Sequence, residues 1–209
     1  MSLPRFINLL PLWSLWLSAG ALLAEEPAVS KRAYRDGPLM AADFAAARPA
    51  DAQTVALSEL EYEWKYQYRH ELRGATRVVT LTEVEVWAAI RRDKSWNLRP
   101  RDALILDHEQ GHFDIAQTFA LQAQAKLLAD RGTVAVLQAR GANLNEAVKR
   151  LEAELAKALQ TLLDPAQQVH RDYDKATDRG DDASAQAIAR KAQRAALQAI
   201  TEKLETLDK

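Results

Sequence analysis

Between residues 60 and 69 aromatic and polar side chains alternate, with Tyr62, Trp64, Tyr66 and Tyr68 separated by Glu63, Lys65 and Gln67, and with Glu61 before them. Alternation places the aromatics on one face of a strand and the polar set on the other. Residues 77–90 hold Val79, Leu81, Val84, Val86 and Trp87, and Arg73-Gly74-Ala75-Thr76 between the two runs predicts the turn of a hairpin. The aromatic stripe points to packing against a helix, with a ligand platform as its other use. Upstream, residues 30–34 predict a further strand, Gly37-Pro38 a turn, and residues 41–47 a short helix that Pro49 ends. Residues 48–58 show no period and read as a loop.

After Trp96 the text becomes rich in Ala and Leu. Pro100 and Asp102 start a helix that reaches about residue 130, where Arg131-Gly132 ends it. Asn143 predicts a cap with Glu146 in capping-box position, and Leu144, Val148, Leu151, Leu155, Leu159 and Leu162 mark the buried face of a second helix. Asp164-Pro165 kinks or restarts that helix. It runs on to about Thr177, Arg179-Gly180 breaks it, and a last helix starts near Asp182 with Ile188, Ala192, Ala195, Ala199 and Leu204 as its face. The expected class is α+β, a small antiparallel or mixed sheet in the N-terminal half packed on long C-terminal helices.

The first 24 residues differ from the rest: Arg5, then an apolar run from Leu9 to Leu23 ending in Ala24 before two glutamates. That is the shape of a secretory signal, with cleavage after Ala24 or after Ala21. The run falls short of the roughly 20 residues a bilayer span needs. Residues 1–24 are therefore expected to be a signal peptide and residues 25–209 a single exported domain, periplasmic or secreted, with no stable membrane span after cleavage. The 28 Lys and Arg are interspersed with 29 Asp and Glu, for a formal charge of -1, which leaves no phosphate-tracking surface for nucleic acid. With no Cys, disulfides, thiolate catalysis and cysteine-bound zinc are excluded. The sequence carries neither a dinucleotide fingerprint nor a phosphate loop, so hydrolysis or simple binding is the default.

The sharpest local feature is His108-Glu109-Gln110-Gly111-His112 inside the first long helix. At about 3.6 residues per turn, His108 and His112 stand one above the other, so both imidazoles can bind one zinc ion. Glu109 beside them would act as general base toward a zinc-activated water attacking a carbonyl. The helix face continues as Ala116, Phe119, Ala123 and Leu127, which directs it into the protein. A structural Glu-His hydrogen-bond pair is the competing use of the same residues. Ile115 and Thr118 stand where a metzincin has Gly and His. A third ligand must then come from Glu146, Glu152 or Glu154, or from residues 170–180, where His170 and Asp174 share a helical face. His70 lies near the hairpin turn and reads as exposed.

Residues 108–116 together with Tyr173-Asp174-Lys175-Ala176-Thr177-Asp178-Arg179-Gly180 resemble a bacterial family of unknown function described as predicted secreted zinc-dependent proteases. The aromatic strand near Trp64 and Trp96 before the helix extend the likeness over most of the mature chain. The downstream block of that family reads Tyr, Asp, two variable residues, Thr, one variable residue, His, Gly. Arg179 occupies the place of the His, and an arginine cannot bind zinc. The resemblance implies a zincin-like helix with Zn2+ held by His108, His112 and, in place of the missing His, Asp174, with His170 as the alternative. It leaves open a family His that only supports a ligand, or a member that has become degenerate. Tyr173 would donate a hydrogen bond to the developing oxyanion, or serve as a core aromatic. Asp114 would orient a ligand imidazole. Arg179 would form a salt bridge to Asp174 or Asp178, or hold a substrate carboxylate.

The expected function is an exported zinc-dependent metallohydrolase, a peptidase with Glu109 as general base, acting on peptide, protein or cell-wall peptide. The alternative is a catalytically degenerate or non-enzymatic exported helical adaptor, and zinc held purely for structure is a third use of the same ligands.

Overall fold

The computed structural model describes residues 5–8, 30–129 and 137–207. The apolar run after residue 8, both candidate cleavage positions and Arg131-Gly132 lie outside the described residues. Two long strands, β4 (Leu60–Arg73) and β5 (Thr76–Arg91), form the expected hairpin, with Arg73 opposite Thr76 across the turn. Trp64 and Tyr66 are buried, and Tyr62 and Tyr68 pack at the edge of the same core, so the stripe serves packing. A bulge shifts the register between Gln67, opposite Glu83, and Tyr68, opposite Leu81.

Short strands flank the hairpin: β1 (Arg5–Asn8), within the segment expected to be cleaved, on β4, and β2 (Lys31–Ala33) and β7 (Gln138–Gly141) on the far side of β5. Every pairing among the described residues is antiparallel. Because β2 covers only Ala89–Arg91 of β5 and β7 only Arg77–Thr80, the stretch between them has no strand neighbour on that side among the described residues. The long helix α1 (Ala103–Ala129) closes it: Gln117 and Gln124, two turns apart, accept the amides of Ala88 and Val86 at 2.9 and 3.0 Å. An edge that would otherwise invite another strand is thereby satisfied by side chains.

α1 is the centre of the molecule. The Asp102 carboxylate accepts the amides of Leu104 and Ile105 at its start. From residue 103 to 128 only Ala103, Gln122 and Lys126 are exposed, since the sheet, α2 (Leu144–Leu163), α3 (Ala166–Ala176) and α4 (Ala183–Leu207) all pack on it. Asn143 caps α2 by accepting the Glu146 amide at 2.9 Å, while Glu146 reaches back to the Ala142 amide. The helix buries Val148, Leu151, Leu155 and Leu159 as the spacing predicts. Pro165 separates α2 from α3.

Three expectations are corrected, and one strand is added. Residues 41–47 form only a 3-10 turn over Ala41–Asp43, because the amides of Ala45 and Ala46 donate to the carbonyls of Arg92 and Ser95 instead of continuing a helix. The loop at 48–58 contains β3 (Ala56–Leu57), paired with β6 (Trp96–Asn97). β7 has no apolar alternation to reveal it. Of the face expected of α4 only Leu204 is buried: Ile188 is 72% exposed and Ala192, Ala195 and Ala199 are exposed, while Gln186, Arg190 and Ile200 are buried in their place. The cause is polar. Arg190 donates to Asp107 at 3.1 Å and to the buried Asp114 at 2.7 Å, and Gln186 donates to Asp107 and the Leu104 carbonyl, both at 2.9 Å. No helix of the described residues is long and apolar enough to cross a membrane.

Candidate metal centre

One turn of α1 presents His108 and His112 side by side, ring centroids 4.8 Å apart and nearly perpendicular. Across from them, α3 presents His170, Tyr173 and Asp174 on successive turns of one face. The Asp174 Oδ1 lies 3.1 Å from His108 Nε2 and 3.0 Å from His112 Nε2. One ligand atom from each of the three residues falls within 4.8 Å of the others, a set that can hold a metal ion. Burial alone would raise the Asp174 carboxyl, but its hydrogen bonds to the two imidazoles outweigh this and hold it well below the usual carboxylate range. Asp174 is thus an anion facing two nitrogen donors, the borderline N and O set that zinc accepts.

The surrounding groups fit a cation. The Thr177 hydroxyl, fully buried, donates to the Tyr173 carbonyl at 2.8 Å, so its lone pair faces His108 Nδ1 at 3.4 Å. With the proton on Nδ1, His108 turns a bare Nε2 toward Asp174. His112 Nδ1 lies 3.0 Å from His170 Nδ1, and a proton donated along that contact leaves its Nε2 bare as well. Two ring lone pairs and a carboxylate then converge, the arrangement a bound cation needs; without one, protons on the two Nε2 atoms make the hydrogen bonds to Asp174 instead. His170 therefore stands behind His112 rather than in the ligand set. Burial first, then the neighbouring His112 charge, push its imidazole down to about 4, against a partial opposing pull from Asp174.

That depression has a sign. The unfolded chain protonates His170 near its ordinary value of 6.5, the folded chain only near 4. Between these values the unfolded state binds more protons, so the metal-free protein loses stability as pH falls from about 6.5 to about 4, by up to roughly 3 kcal/mol. Urea titrations across that window should show the loss, and His170→Ala should flatten it.

Gly111 and Gly180 let the helices approach. A Cβ on Gly111 would fall on the Tyr173 hydroxyl and within 2.6 Å of its Cζ; one on Gly180, where φ is +92°, would lie 3.0 Å from His108 Cβ and Cγ. The Tyr173 ring stacks on His108 at 4.7 Å, and its hydroxyl donates to the His108 carbonyl at 3.4 Å. It is buried and is not among the residues that line the cleft described below. The core use of Tyr173 describes its surroundings; its hydroxyl is directed at the helix backbone. Gly111→Ala is expected to lower stability by about 1–2 kcal/mol in urea unfolding, because the overpacking exceeds the helix propensity gained. Zinc affinity should fall with it, since the displaced Tyr173 precedes Asp174.

Glu109 is 4% exposed, and its Oε2 accepts the Ser58 hydroxyl at 2.6 Å. Together with the two imidazoles it faces a cleft of about 720 Å³, walled on one side by residues 54–62 and on the other by the end of α2 and the start of α3, with Arg179 also on its lining. Ser58 carries no sequence signal as a site residue, being a common polar residue whose partner is distant in the chain, whereas Thr177 stands at the fixed Thr of the resembling block, to which no role was assigned. Asp114 does not touch an imidazole. It accepts from Tyr34 at 2.8 Å, Gln110 at 2.6 Å and Arg190, and so fastens α1 to its neighbours. Glu152 accepts the Tyr66 hydroxyl and Glu146 serves the cap of α2; neither belongs to the metal set, nor does Glu154. His70 is exposed. Arg179 makes no salt bridge to Asp174 or Asp178. No family model, curated protein or solved structure matches this chain.

Proposed function

We propose that this chain is an exported zinc metallopeptidase acting on peptide, protein or cell-wall peptide. The observation that carries the reading is the convergence of His108, His112 and Asp174 within 4.8 Å on the wall of a cleft that Glu109 also lines. Three protein ligands beside a cleft are the arrangement of a catalytic zinc site, whereas a structural site closes with four. The resemblance of residues 108–116 and 173–180 to the predicted secreted zinc-dependent proteases supports the same reading, as does the signal-like N-terminus, which also argues for a periplasmic or secreted location.

Bound zinc would supply Lewis acidity and lower the pKa of a water molecule. Glu109 supplies the base. Its Oε2 is oriented by Ser58, which leaves Oε1 to take the proton from the attacking water and return it to the leaving amine. Thr177 and His170 hold the two imidazoles in the tautomer that presents Nε2. The walls of the cleft receive the chain of the substrate.

The test is metal analysis of protein purified without added metal, followed by hydrolysis of an unfolded protein substrate. About one zinc per chain, and hydrolysis lost with a chelator and restored by zinc, are expected. Absence of bound zinc that persists after zinc is added would overturn the proposal.

A further inference from the structure

Among the described residues Arg179 is the one lysine or arginine on the lining of the cleft, beside Glu59, Glu61, Glu109, Asp164 and Asp174 as charged groups. Three successive residues carry positive φ: Asp178 at 47°, Arg179 at 53° and Gly180 at 92°. For the two that are not glycine this left-handed backbone is unfavourable and persists only where surrounding contacts impose it. They do so here. The amides of Gly180 and Asp182 both donate to the Thr177 carbonyl at 3.0 Å, and that of Asp181 to the Asp178 carbonyl at 3.1 Å. Gly180 is itself pressed against His108, so the backbone bearing Arg179 is tied to a metal-ligand imidazole.

The side chain has nothing to hold. Arg179 is exposed and has no hydrogen bond or ion pair among the described residues, although acids surround it in sequence. Asp181 faces Arg99 at 3.8 Å, and the Oδ1 of Asp174 faces the imidazoles. Apart from a metal held by His108, His112 and Asp174, the guanidinium is the one positive group among the described residues of the lining, whose Glu61 is already paired with Lys31 and Arg91; its planar fork suits a carboxylate. A fixed attractive position set apart from the metal in an otherwise acidic cleft sets register as well as affinity.

We propose that Arg179 is a specificity-determining residue that binds a carboxylate of the peptide substrate, either an acidic side chain or the chain terminus. The proposal rests on the peptidase reading for the nature of the ligand, and its test is one of binding, so the two can fail separately. The probe is a set of fluorescein-labelled nonapeptides of Ala, Leu and Gly, each with a single Glu at a different position and with a free or amidated C-terminus. Binding is measured by anisotropy to the zinc-loaded Glu109→Gln protein.

One peptide is expected to bind about tenfold more tightly than its Gln counterpart, or the free acids more tightly than the amides, a difference of the size expected of a charge-assisted bidentate contact. The first result identifies a side-chain carboxylate, the second the terminus. Arg179→Ala should abolish the discrimination with zinc content unchanged, Arg179→Lys should retain part of it, and Arg179→Glu should reverse it in favour of Lys-containing peptides. Equal binding of all pairs, no binding of any peptide, or discrimination that survives Arg179→Ala would overturn the assignment. Carboxylate-dependent binding by a protein that never hydrolyses these peptides with Glu109 intact would sink the peptidase reading and leave Arg179 as a ligand-binding residue.

Discussion

Glu109→Gln is expected to lower peptide hydrolysis by about 10²- to 10⁴-fold while leaving zinc content unchanged. The substitution keeps the shape of the side chain and its bond from Ser58, since an amide oxygen accepts the hydroxyl as a carboxylate oxygen does. It removes only the ability to take a proton. Glu109 does not belong to the ligand set of His108, His112 and Asp174, so metal analysis should report the same stoichiometry for variant and parent. Hydrolysis that survives the change would leave the cleft as a binding surface and favour the adaptor alternative. Loss of zinc together with activity would mean that Glu109 supports the metal directly. The pair of measurements, turnover and metal content, separates these outcomes where either alone does not.

The parts of the site that lie one helical turn apart were legible from the helix period; of those joined only by tertiary contact, Asp174 was reached through the resembling block and Ser58 was not. His108 and His112 need nothing beyond the helix period to stand together, and the same period relates His170 to Asp174. The helical rule does not say how α3 is set against α1. That depends on Gly111 admitting the Tyr173 ring and on Gly180 admitting His108, close approaches that a sequence shows only as two glycines. The hairpin was legible because the aromatic alternation of β4 reflects burial. The face of α4 was not, because hydropathy assigns Gln186 and Arg190 to solvent, whereas both are buried against Asp107 and Asp114. Polar groups that satisfy one another in the interior leave no periodic trace. Residues 48–58 read as a loop for another reason: the two-residue strand β3 within them is too short to show a period, yet it brings Ser58 to Glu109.

Asp174→Ala should weaken zinc binding more than His170→Ala does, and the comparison decides which of the two completes the metal set. Removal of a group that only orients a ligand costs roughly 10- to 100-fold in metal affinity. Asp174 contributes its own oxygen at 3.0 and 3.1 Å from the two ring nitrogens, and its loss leaves two neutral imidazoles with no anionic donor among them. The expected penalty exceeds about 100-fold, beyond the range for an orienting partner. His170 touches His112 through Nδ1, on the side of the ring away from Asp174, so His170→Ala releases the tautomer and orientation of one ligand and should fall inside that range. Competition against a chromogenic chelator at fixed pH reads both affinities on one scale. Equal losses, or a larger loss for His170→Ala, would move the third ligand to His170 and require α3 to rotate toward α1 when metal binds. An Asp174→Ala protein that binds zinc as the parent does would show that the convergence of these three side chains is a hydrogen-bonded cluster and no metal centre.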